Sequence, residues 1–166
     1  TLSFSTVLPA VESMKAYILT FDLFQNGFKQ MVLPGRFLST PAAKGLLALS
    51  ATLLLGIGVF PAQLFPLIWI CPFFIFLGCR ILSGSPHIFS DMKTGDYTQV
   101  AAYAAAAIVC GLFWELFNFY SLARWQYHIP YVQVLHIFEM PLLGYAGYLP
   151  FGLECALIID LVMKRS

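Results

Sequence analysis

Across residues 97–120 the chain carries one charged side chain, Glu115, in an otherwise apolar run long enough to cross a lipid bilayer as a helix. Such a run has few folding options. Hydrocarbon offers no water to backbone amides, and a helix satisfies them within one segment. The rest of the chain agrees: 9 basic and 8 acidic side chains stand among 166 residues, or 10% charged, against about 25% in ordinary globular chains. Hydrophobic residues make up 60%. A domain this small cannot hide that much apolar surface, so its solvent is lipid. With a net charge of +1 and no Lys/Arg block, the chain offers nucleic acid no electrostatic footing.

Five apolar passages follow from cutting the chain at its charges, prolines and glycines. Residues 6–24 are interrupted by Glu12, Lys15 and Asp22; residues 42–60 end at Pro61; residues 64–82 contain Pro66 and Pro72. Residues 97–120 include an alanine run suited to close helix contact. Residues 132–163 are broken by Pro141, Gly144, Gly147 and Pro150, which predicts a half-helix, a non-helical corner and a second helix. The expectation is one all-α transmembrane domain over 1–166 with about five crossings. If these alternate, Lys29, Arg36, Lys44, Arg80, Lys93, Lys164 and Arg165 share one side and Arg124 stands opposite. The positive-inside rule then puts loops 25–44 and 83–96 and the C-terminus in the cytoplasm, and loop 121–131 outside with Tyr120, Trp125, Tyr127 and Tyr131 as interfacial anchors. Starting at Thr1 without a signal peptide, the chain reads as entering part-way through a longer protein. Cys71, Cys79, Cys110 and Cys155, without C-x-x-C spacing, read as small buried hydrophobes.

At about 1.5 Å per helical residue, Glu12, Glu115, Glu139 and Glu154 all fall roughly 6–10 Å below the outer boundary. Intramembrane acids are costly, so a layer of four is the default candidate site. Glu115 and Asn118, like His136 and Glu139, are spaced to share a helical face. Trp114, Arg124, Trp125 and Tyr127 are the neighbouring polar and aromatic groups. His136, Glu139 and Glu115 make an incomplete metal set, so no metal is assigned, and no G-x-S-x-G elbow supports nucleophilic catalysis. His136 is also the candidate axial ligand for a pigment. The acids can equally serve as fasteners, hydrogen-bonding the broken segment to its neighbours.

Four stretches stand out: Phe113-Trp114-Glu115-Leu116-Phe117-Asn118; Trp125-Gln126-Tyr127-His128-Ile129-Pro130; Phe138-Glu139-Met140-Pro141-Leu142-Leu143-Gly144; and Pro150-Phe151-Gly152-Leu153-Glu154. With them the chain resembles a family of bacterial polytopic inner-membrane proteins marked by W-E-x-x-N, W-x-Y-x-x-P, F-E-M-P-L-L-G and P-F-x-L-E. The resemblance implies a helical inner-membrane protein, longer at its N-terminus, and no particular reaction. In arrangement alone, a carboxylate and an Asn on one helix with a Pro/Glu motif later is similar to membrane-embedded lycopene-cyclase-type domains.

Three functions follow as expectations. The first is an inner-membrane subunit or assembly component that packs its alanine face and aromatic surfaces against other membrane proteins, with lipid, quinone, carotenoid or chlorophyll-type ligands as partners. The second is an enzyme acting on an isoprenoid or lipid, with Glu115, Glu139 or Glu154 as proton donor and Asn118 and His136 orienting the reacting group. The third is a small-solute or proton-coupled transporter.

Overall fold

The computed structural model describes residues 5–29, 39–64, 66–127 and 134–162. Arg36, His128, Tyr131, Lys164 and Arg165, named above, lie outside them. The described chain is all-α apart from one small hairpin. In order it forms α1 (Val7–Ile18), α2 (Asp22–Asn26), α3 (Thr40–Ile57), α4 (Pro61–Leu64), α5 (Leu67–Leu82), a 3-10 turn (Asp91–Thr94), and α6 (Thr98–Phe119). There follow strands β1 (His136–Ile137) and β2 (Met140–Pro141), a 3-10 turn (Leu142–Gly147), and α7 (Tyr148–Val162). Three stretches are long and apolar enough to cross a membrane: α3, α6, and the 3-10 turn with α7 taken together. α5 is a shorter apolar helix.

Two of the expected passages therefore come out short. In the first, the helix stops at Ile18. Thr20 turns the chain there, its backbone N–H and its hydroxyl both donating to the Tyr17 carbonyl, at 3.0 and 2.7 Å. Residues 64–82 are divided at Pro66, after which α5 runs straight through Pro72. The longest passages fit better. α3 starts where the Ser39 hydroxyl accepts from the Ala42 N–H at 3.4 Å, with proline in its first turn. α6 starts where the Asp96 carboxylate accepts from the Thr98 N–H at 2.8 Å.

The last segment departs most from expectation. In place of a half-helix before the corner, the described part of it opens with the antiparallel hairpin, His136 opposite Pro141 and Ile137 opposite Met140. In place of a non-helical corner, the 3-10 turn runs directly into α7. Pro150 interrupts nothing, because it falls in the first turn of α7, where its missing N–H has no helical acceptor to serve.

The helices stand in a row: α3 packs on α5, α5 on α7, α7 on α6, and α6 on α1. Small residues set the contacts. A Cβ added at Gly152 would lie 2.4 Å from the Tyr103 carbonyl oxygen, so α6 and α7 approach backbone to backbone. Ala102, Ala106 and Ala107 are fully buried in this core. The alanine face expected to meet other proteins is thus consumed inside the chain. Three cysteines are buried free thiols, but Cys79 is exposed.

Candidate functional site

Glu115 sits near the end of α6 and is wholly buried. Its Oε1 accepts hydrogen bonds from two phenols, Tyr127 at 2.6 Å and Tyr148 at 3.0 Å. The Trp125 indole N–H donates in turn to the Tyr127 oxygen at 2.6 Å. Tyr148 reaches Glu115 because α6 carries Gly111 one turn earlier, where a Cβ would lie 2.5 Å from the Tyr148 ring. Trp114 and Phe151 close round the same ring, at 6.1 and 6.3 Å between centroids. Burial, then the bond to Glu115, pushes the Tyr127 phenol above its usual range, so it stays a donor. The other carboxyl oxygen of Glu115 is buried and has no hydrogen-bond partner among the described residues.

One turn on, Asn118 clamps the loop that follows. Its amide accepts from the Trp125 N–H at 2.9 Å and donates to the Trp125 carbonyl at 3.0 Å. That clamp orients Trp125 and Tyr127 over Glu115. Beside it, Arg124 pairs with Glu139 at 3.0 Å, with Arg124 half-exposed. Glu139 lies in the two-residue hairpin turn, where Phe138 adopts a φ of +57° that a side chain rarely tolerates. The ring it projects packs on Phe119, 5.7 Å between centroids, and Tyr145 donates to the Ile137 carbonyl at 3.1 Å.

The structure thus brings Glu115, Asn118, Trp114, Trp125 and Tyr127 together and sets Arg124 and Glu139 at the same end. The other expected neighbours are elsewhere. His136 is exposed on β1 and does not share a helical face with Glu139, because residues 136–141 form a hairpin. Among the described residues, no three His, Cys, Asp or Glu side chains gather to hold a metal. Glu154 lies six positions beyond Tyr148, about 9 Å further along α7. Glu12 is further still. Its carboxylate accepts from Tyr103, twelve positions before Glu115 and about 18 Å away along α6. The single layer of four glutamates does not exist: α1 enters alongside the first half of α6, and α7 runs antiparallel to it.

No family model, curated protein or solved structure matches this chain. The site has to be read from its own chemistry.

The residues that sequence reasoning missed are Tyr148 and the group round Tyr103. At that second location Lys15, buried, pairs with Glu12 at 2.8 Å and stands 4.9 Å from the centre of the Tyr103 ring. The three-residue spacing of Glu12 and Lys15 was a usable signal. Nothing local marks Tyr148, whose role depends on Gly111 in another helix.

Proposed function

We propose that this chain is an integral subunit or assembly component of the bacterial inner membrane, packing with other membrane proteins and lipids and offering apolar surface to a lipid, quinone, carotenoid or chlorophyll-type ligand. The observation that carries this reading is that three of its glutamates are engaged inside the chain: Glu12 by Lys15 and Tyr103, Glu115 by Tyr127 and Tyr148, Glu139 by Arg124. Acids held this way act as fasteners. What remains for partners is the apolar exterior, including Leu55, Phe60 and Trp69 on one flank and Phe113, Phe117 and Tyr120 on the other.

The finer topology belongs to the same proposal. Five passages run through the membrane, α1 and α5 being the short ones, and the C-terminus is cytoplasmic. In support, antiparallel α3 and α5 put Lys44 and Arg80 at one end. The Tyr97 N–H donates to the Phe28 carbonyl at 2.9 Å, which brings Lys29 and Lys93 to that end too, while Arg124 lies at the other.

Purification from native membranes in mild detergent, followed by cross-linking and mass spectrometry, is expected to recover the chain in an assembly well above its own 18.5 kDa. Recovery of the chain alone, with no protein or small molecule attached, would overturn the reading. The unpartnered oxygen of Glu115 favours a second reading, a membrane enzyme that protonates an isoprenoid or lipid double bond from this carboxyl. A lipid species lost in a Glu115→Gln strain and restored by the wild-type gene would establish it.

A further inference from the structure

Glu154 is the glutamate that the fold leaves over. Glu12 is held by Lys15 and Tyr103, Glu115 by two phenols and Glu139 by Arg124, whereas among the described residues none forms a hydrogen bond or ion pair with Glu154. Its depth makes this matter. The apolar stretch it belongs to runs Leu142–Val162, so Glu154 lies about 12 Å in from the nearer end.

The helix fixes the direction of the side chain. Pro150, Glu154, Ile158 and Leu161 recur every three or four residues and share one stripe of α7. None of the four is buried, and Leu161 is 51% exposed. On the opposite side Gly152, Ala156 and Ile159 are buried, Gly152 against the backbone of α6. In the row of helices α7 has α5 and α6 beside it, and the Glu154 stripe is the face left open.

A carboxylate on such a face costs a few kcal/mol unless something pairs with it. The described cations of this chain are committed elsewhere: Lys15 to Glu12 and Arg124 to Glu139, with Lys29, Lys44, Arg80 and Lys93 gathered at one end of the bundle. A second copy would therefore bring like charge to like charge. Lipid amines stay with the headgroups, about 12 Å away, and a quinone or carotenoid offers no cation. The described acids, histidines and cysteines form no metal set. A basic side chain on a helix of another membrane protein meets the requirement at this depth.

We propose that the Glu154 stripe of α7 seats a transmembrane helix of a different protein, which brings a Lys or Arg side chain to the depth of Glu154. Charge complementarity selects this partner, and Pro150, Ile158 and Leu161 supply apolar contact above and below the ion pair. The proposal rests on the reading of this chain as a membrane subunit and names the chemistry of what it binds.

The test places a photo-cross-linking residue at Leu161 of the whole protein, irradiates native membranes and sequences the joined peptide by mass spectrometry. The expected product is an apolar segment of about 20 residues with a Lys or Arg near its centre. Glu154→Gln should lower recovery of that protein about tenfold, and Glu154→Lys combined with a change of that basic residue to Glu should restore it. Should Glu154→Gln fail to fold, the cross-linked segment decides alone, since its chain keeps Glu154. A joined segment without Lys or Arg, cross-links to lipid only, or recovery unchanged in Glu154→Gln and Glu154→Lys would overturn the proposal and leave the subunit reading standing. Recovery of the chain with no other protein attached would overturn both.

Discussion

At one end of α6, Glu115 is surrounded by neutral donors: two phenols, with an indole and a carboxamide orienting one of them. Towards the other end, Glu12 is held by a buried ammonium and by the Tyr103 phenol. The difference lies in where the partners come from. Lys15 is on the same helix as Glu12, so local geometry supplies the countercharge. Glu115 has no cation within reach on its own helix and depends on a loop and on α7. One carboxylate is balanced by charge and the other by hydrogen bonds. In a low-dielectric interior these respond differently to mutation.

The largest expected effect is at the ion pair. Glu12→Ala leaves Lys15 buried without its countercharge and should cost about 3 kcal/mol, measured by reversible unfolding in mixed micelles. Lys15→Met on that background should recover most of it. A double variant no more stable than Glu12→Ala would show that the pair is not what holds this end.

Glu115 should behave unlike Glu12. Glu115→Ala removes the acceptor of two phenols and opens a void, at roughly 2–3 kcal/mol. Glu115→Gln keeps a carbonyl oxygen for both and should stay within about 1 kcal/mol. Glu12→Gln, which removes the charge facing Lys15, should cost distinctly more. If the two Gln variants lost equal stability, the contrast between charge and hydrogen bonding would collapse.

Asn118→Ala is next, at about 1–2 kcal/mol for two hydrogen bonds to the Trp125 backbone. Its more specific signature is local. Amide exchange in residues 121–127 should speed up, while exchange in the first half of α6 is unchanged. Uniform acceleration along α6 would mean that the clamp supports the whole bundle and not the loop alone.

The smallest effect is a pH dependence at the Tyr103 end. The folded state holds the His87 pKa below its ordinary value of about 6.5. As pH falls below about 6.5, the unfolded chain takes up a proton that the folded chain resists. Stability should therefore be full above that pH and decline under it. His87→Gln should flatten the dependence of Tm between pH 7.5 and 5.5. An unchanged slope would move its source to another group.

The apolar passages at α3 and α6 were legible in the sequence, because a run that must satisfy its amides in hydrocarbon has one local solution and needs no partner to define it. So was the placing of Glu115 and Asn118 on neighbouring turns of one helix, whereas the Glu12–Lys15 pair, within a single turn, carried a spacing that the reading passed over. The depth at which the acids sit was not legible. Counting residues from an assumed boundary placed Glu12 and Glu154 beside Glu115, but depth depends on how far α1 and α7 slide along α6, which Gly152 and the alanine face decide by backbone contact. Residues 136–141 likewise carry a helix-compatible spacing. They form a hairpin because Phe138 packs on Phe119, Glu139 meets Arg124 and Tyr145 holds Ile137, contacts with partners distant in sequence. What the sequence determined by itself was the apolar segments long enough to cross a membrane. Tertiary structure alone decided the sliding of the helices, the hairpin and the partners of Glu115, because each rests on side chains that only packing brings within reach.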